Sequence, residues 1–192
     1  MDFSYINFLQ KVAKMVAPSG NEKEVLDLWS NEISAYVSDT YSTSLGNVVA
    51  VKHGTCDCRK KIMLTAHADE IGLIITYIDN DGFLYFNEIG GIDTNLLPGK
   101  VVSIKGINGL IDGVIGVKPV HLQERGNNKQ NLSPEDLWID INVKDKEEAL
   151  EFVQIGCVAT LTSDFLVRGS RITGKAMDNR CSLAVLLAVA RS

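Results

Sequence analysis

The 192 residues, 45% hydrophobic and 22% charged, have the balance of a globular protein, which excludes a disordered or collagen-like chain. The formal charge of −5 comes without a Lys/Arg cluster, so no sequence-independent grip on nucleic acid is expected. No apolar run reaches the roughly 18–20 residues of a membrane span, and the polar, amphipathic start lacks a signal-peptide layout, so a cytoplasmic protein is expected. Cys56, Cys58, Cys157 and Cys181 form no CxxC and read as free thiols, with a Cys56–Cys58 metal or redox pair as the alternative.

In chain order, Phe3, Ile6, Leu9, Val12, Ala13 and Val16 recur at helical spacing, and Pro18 ends that helix. Ser19-Gly20-Asn21-Glu22 has the S-x-x-E form of a capping box. The helix it opens places Val25, Leu28, Trp29, Ile33 and Tyr36 on one face. Residues 45–52 read as a strand, and the apolar run 61–66 (KIMLTA) reads as a buried strand of an α/β sheet. From 71 to about 162 the texture is β-rich: 71–78 and 83–89 flank Asn80-Asp81-Gly82, a strong hairpin signal, and frequent glycines punctuate further short strands. This density of turns fits a small barrel or sandwich. The polar stretch 123–133 reads as a mobile loop and 146–153 as one short helix. The last segment, 179–191, is a helix that is apolar almost all round, so it needs cover on every side. That cover must come from other elements, from another chain or from the rest of a longer protein.

Two short motifs carry chemistry. His67-Ala68-Asp69-Glu70 stands at the end of the 61–66 run. Residues two apart on a strand point the same way, so His67 and Asp69 would both face the crevice at the strand's carboxyl end. A metal-binding histidine commonly gives its other ring N–H to a carboxylate, and His-x-Asp supplies both parts. The plainer reading is a polar surface turn. The second motif is Lys175-Ala176-Met177-Asp178-Asn179-Arg180 at the start of the apolar helix. Asp178 is either a helix cap or a carboxylate positioned for a metal. The overlapping string Gly169 to Ala176 nearly matches a phosphate-binding P-loop, but Ala176 replaces the hydroxyl residue that should hold Mg²⁺. His53 reads as exposed, and His121 as a polar residue at a strand end or in the cleft.

Taken in order, Ala17-Pro18-Ser19-Gly20-Asn21-Glu22, His67-Ala68-Asp69-Glu70-Ile71-Gly72, Gly90-Gly91-Ile92-Asp93, Leu97-Pro98-Gly99 and Gly174-Lys175-Ala176-Met177-Asp178-Asn179-Arg180 resemble the glutamyl/deblocking aminopeptidase family. These are dinuclear-metal enzymes that often form tetrahedral (TET) shells. The resemblance implies an α/β fold, part of a mixed-sheet metallopeptidase catalytic domain interrupted by a small β-barrel-like domain. Residues 1–70 and 166–192 would belong to the catalytic domain, and 71–165 would be the inserted β-domain used for dimerisation. It implies that His67 binds one metal, that Asp69 orients His67, and that Asp178 bridges both metals, with a cis peptide to Asn179. The cofactors would be two divalent ions, Zn²⁺ or Co²⁺, which activate water and polarise the scissile carbonyl of an N-terminal peptide bond. Peptides would be the substrates and a homo-oligomer the assembly.

The family continues past this helix to a Glu-Glu pair, a further Asp and a late His. The first Glu of that pair is the general base, so the base and most metal ligands fall outside these residues. The expectation is therefore a truncated metalloaminopeptidase, inactive by itself and with weak or no metal occupancy. The alternative is a non-catalytic assembly module, or one half of a split enzyme, dimerising through the β-domain.

Overall fold

A computed structural model describes residues 3–55, 60–118 and 132–192, with side chains from Tyr5 onward. Cys56, Cys58, His121 and most of the polar stretch from Gln123 lie outside the described residues. The chain divides into two units: Met1–Glu70 with Asp164–Ser192, and Ile71–Ser163.

In the first unit, α1 (Phe3–Lys14) buries Leu9, Val12 and Ala13 of the stripe that helical spacing predicts, together with Phe8, which that stripe omits. α2 (Lys23–Ile33) buries Val25, Trp29 and Ile33. The expected capping box does not form. The residue preceding α2 is Glu22 and no side chain caps the helix. The Glu22 carboxylate accepts from Gly20 N at 2.7 Å, while the Ser19 hydroxyl donates to Asp69, 50 residues away in sequence. A short local motif has lost to a tertiary partner carrying a full charge.

An antiparallel ribbon follows, β1 (Asp39–Ser42) with β2 (Val48–Val51). The 61–66 run corrects the sequence reading. It carries no strand assignment, and Ile62 and Met63 are 87% and 85% exposed. Apolarity signals that a segment prefers burial, but a strand also needs a ladder partner. Among the described residues the bridge nearest this run is Pro18 with Glu70, beyond its end.

The unit resumes with a hairpin, β9 (Leu166–Arg168) and β10 (Arg171–Thr173), which holds part of the P-loop-like string. α4 (Met177–Arg191) then buries Arg180, Leu183, Ala184, Leu187 and Ala190. Val185 and Val189 are exposed, so among the described residues α4 is covered on one face, and the cover its apolar composition calls for on the other is not supplied by them. Trp29 Nε1 donates to Leu183 O at 3.1 Å, which ties α2 to that covered face.

The second unit is a closed antiparallel barrel. Its strands are β3 (Gly72–Ile78), β4 (Leu84–Ile89), β5 (Val101–Gly106), β6 (Gly109–Val117), β7 (Leu137–Asp140) and β8 (Val158–Leu161), in the order β3-β4-β7-β6-β5-β8. Alternate residues fill the interior: Leu84 and Phe86, Val102 and Ile104, Leu137 and Ile139. A register shift between Ile75 and Tyr77 lets β3 place both Ile75 and Ile78 inside despite their odd spacing. The Asn80-Asp81-Gly82 hairpin forms as predicted. Gly82 takes φ +85°, and the Asp79 carboxylate accepts from Asp81 N and Phe83 N. At Gly113 a Cβ would stand 2.5 Å from Ile139 Cγ2, so the close approach of β6 to β7 requires glycine. The short helix α3 (Lys146–Phe152) starts on Asp145, whose side chain accepts from Glu148 N.

Candidate metal centre

His67, Asp69 and Asp178 come together within the first unit. His67 Nδ1 lies 2.8 Å from Asp69 Oδ1, and His67 Nε2 lies 3.1 Å from Asp178 Oδ1. The imidazole is thus flanked by a carboxylate on each nitrogen. Asp69 is partly covered, whereas the Asp178 side chain is 95% exposed. Asp178 and Asn179 sit at the start of α4 with non-helical backbone angles, and the peptide bond between them is cis, the form that the resemblance implies. The carboxylate that could have capped α4 therefore faces His67.

The electrostatics follow from this geometry. Burial works against a charge on His67, but the hydrogen bonds and fields of Asp69 and Asp178 outweigh it and raise the imidazole pKa. For Asp69, burial favours the neutral acid, yet the hydrogen bonds from Ser19 and His67 prevail and hold the carboxyl below its usual range. The two carboxylates thus stabilise the doubly protonated ring relative to a free imidazole. A divalent ion on Nε2 would require that nitrogen to be free of its proton.

The donor set fits one half of such a centre. Ligand atoms about 2.1 Å from a zinc ion at the tetrahedral angle stand about 3.4 Å apart, and the 3.1 Å between Nε2 and Oδ1 is close to that spacing. One imidazole and one carboxylate suit Zn²⁺, Co²⁺ or Mn²⁺. Among the described residues no group of three or more His, Cys, Asp or Glu side chains is arranged to hold a metal. His53 is exposed on the segment after β2; Cys157 and Cys181 are free thiols.

Beneath this pair lies a buried ion cluster that sequence reasoning missed. Glu70, Lys175 and Arg180 are 6%, 13% and 0% exposed at their side chains. Lys175 Nζ donates to both Glu70 oxygens at 2.6 and 2.8 Å, and Arg180 Nη2 approaches Glu70 Oε1 at 3.0 Å. Burial pushes the pKa of both cations down, and Glu70 opposes that shift. Arg180 also donates to four carbonyls: Val12, Met15 and Ala17 at the end of α1 and beyond, and Ala68 between His67 and Asp69. The lysine of the P-loop-like string is thus committed to Glu70 and to Met15 O. One signal could have found the cluster: Arg180, Leu183, Ala184 and Leu187 share a helical face, so the arginine stands in an apolar stripe and needs buried acceptors.

Comparison with known proteins places the chain. The sequence profile of the M42 glutamyl aminopeptidases matches residues 46–192, and the chain belongs to that family. A relative from Acetivibrio thermocellus named "Putative aminopeptidase" is 38% identical over 181 residues, covering 94% of this chain and 52% of its own. Among solved structures, the aminopeptidase APDkam598 from Desulfurococcus kamchatkensis matches with a TM-score of 0.88 at 34% identity, covering 97% of this chain and 51% of its own. A TET1 peptidase from Pyrococcus horikoshii, described as able to assemble into a tetrahedron or a large octahedral shell, matches with a TM-score of 0.83 at 33% identity, covering 97% and 56%. The chain spans about half the length of these proteins. Among the described residues no helix is long and apolar enough to cross a membrane.

Proposed function

We propose that this chain supplies one half of the active site of a dinuclear-metal aminopeptidase, with His67 and Asp178 as metal ligands and Asp69 as the group that orients His67. The observation that carries this reading is the pair of contacts on one ring: Asp69 on Nδ1 and Asp178 opposite Nε2. When bound, two divalent ions, Zn²⁺ or Co²⁺, generate a nucleophilic water at neutral pH and polarise the scissile carbonyl of an N-terminal peptide bond. Asp69 holds the proton of Nδ1, which leaves the Nε2 lone pair for an ion. Asp178, 95% exposed, supplies a carboxylate oxygen opposite Nε2. Residues 1–70 and 166–192 are the catalytic part in this reading, and 71–165 form an inserted β-domain through which copies of a cytoplasmic enzyme associate.

Two protein ligands are fewer than the three or four of an ordinary zinc site, and a proton acceptor for the water is also required. The 192-residue chain by itself is therefore expected to bind metal weakly and not to cleave peptides. A titration with Mn²⁺ followed by NMR tests the ligand assignment. Broadening should centre on the His67 ring and fall sharply in Asp178→Asn; broadening elsewhere, or broadening unchanged by the substitution, overturns it. Hydrolysis of aminoacyl anilides with Co²⁺ or Zn²⁺, persisting after removal of traces of any larger enzyme, would overturn the expected inactivity.

A second reading has its own observation. Ile62, Met63 and Leu64, and separately Val185 and Val189, expose apolar surface in the first unit. A non-catalytic assembly module, or half of a split enzyme, would cover such surface with another chain. A monomer by light scattering that binds no hydrophobic dye would count against it.

A further inference from the structure

The loop between α1 and α2 reaches the site through the Ser19 side chain. Ser19 is exposed, and its hydroxyl donates to Asp69 Oδ2, the oxygen that His67 does not use. The loop is anchored on both sides of that contact. Ala17 N approaches Glu70 Oε1, and Ala17 O accepts from Glu70 N and from Arg180 Nη2. Asn21 N closes a turn on Pro18 O at 2.8 Å, and Gly20 N is held by Glu22. The buried cluster therefore fixes the loop, and the loop presents one hydroxyl to one carboxylate oxygen.

His67 makes that hydroxyl consequential. Both ring nitrogens face carboxylates, so the neutral imidazole has two competing tautomers: Nδ1–H toward Asp69, or Nε2–H toward Asp178. Only the first leaves Nε2 free to bind an ion. Asp178 is almost fully exposed and can turn into solvent, whereas Asp69 is partly covered. A donor on Oδ2 stops the Asp69 carboxylate from rotating and keeps Oδ1 aimed at Nδ1. We propose that Ser19 is a positioning residue of the metal site, acting through Asp69 to select the Nδ1–H tautomer of His67. It does not serve the helix that follows, because no side chain caps α2. This inference rests on the metal reading above.

The test uses the 192-residue chain with Ser19→Ala and the conservative Ser19→Thr. Nitrogen-15 NMR of the His67 ring, in metal-free protein and alkaline buffer, reads the tautomer directly. Wild type and Ser19→Thr should show Nδ1–H as the major form, and Ser19→Ala should show a clear gain of Nε2–H. Mn²⁺ titration should then show affinity about 3–10-fold weaker for Ser19→Ala, at or below the usual 10–100-fold loss for outer-shell partners because Ser19 acts one step further out. A loss of thermal stability with tautomer ratio and affinity unchanged would show a merely structural serine and overturn the proposal. A tautomer shift in a protein whose wild type binds no Mn²⁺ would support the positioning role while the metal reading fails.

Discussion

The two units solve the problem of burial in opposite ways. The barrel closes on itself, so every strand has a partner on each side and Leu73, Ile75, Leu84, Ile104, Leu137 and Ile139 reach zero exposure. The other unit packs helices around a core that contains three charged side chains, and it leaves Ile62, Met63 and Leu64 in solvent. The barrel contains none of the residues assigned chemistry. The unit with ions in its core and apolar side chains outside carries His67, Asp69 and Asp178. Stability in the barrel should therefore follow apolar volume, and in the other unit it should follow satisfaction of buried charge.

The most severe break of this comparison should be Arg180→Met. It strips the cluster of a fully buried cation and frees four carbonyls, which costs about 3–5 kcal/mol. In urea unfolding followed by hydrogen exchange, amides of α1 and α4 should lose protection before those of the barrel; uniform loss would show that the units do not differ in this way. Ile75→Ala should cost about 2–5 kcal/mol through the cavity it leaves, with barrel amides losing protection first. A smaller effect should appear with pH. The raised pKa of His67 means its contribution is fully present below about 6.5 and is lost as pH rises through the folded value. The lowered pKa of Asp69 means its contribution is present above about 3.9 and is lost as pH falls through the folded value. Urea midpoints of wild type and His67→Gln should therefore differ most in mildly acidic buffer and converge as pH rises through the folded value of His67; a constant gap would contradict the pairing. The smallest effect should belong to Met63→Ser. It should stay within about 0.5 kcal/mol, because the side chain already lies in solvent; a loss above about 2 kcal/mol would mean that Met63 is covered in solution.

Local signals read well wherever neighbours in sequence decided the outcome. Most of the α1 and α2 stripes (Phe8 and Tyr36 apart), the Asn80-Asp81-Gly82 turn and the α3 segment are encoded within a few residues. Those readings failed where a distant partner competed. Ser19 has the form of a cap but bonds to Asp69, and the 61–66 run has the composition of a buried strand without a ladder partner among the described residues. At the site, motif order alone singled out His67, Asp69 and Asp178, while Glu70, Lys175 and Arg180 passed as scenery inside those motifs.

The residues by themselves determined the family and the identities of the candidate ligands, because ordered motifs and side-chain chemistry are properties of the string. They also determined the β-rich middle, because alternation and turn residues act over short range. Only the tertiary structure decided that one imidazole has a carboxylate on each nitrogen, that a loop serine braces one of them, and that a buried arginine joins α1 to the segment carrying His67. Apart from the His67–Asp69 pair, which the His-x-Asp spacing already suggested, those contacts join residues 50 to 168 positions apart, and such pairing depends on how the chain packs rather than on any local pattern.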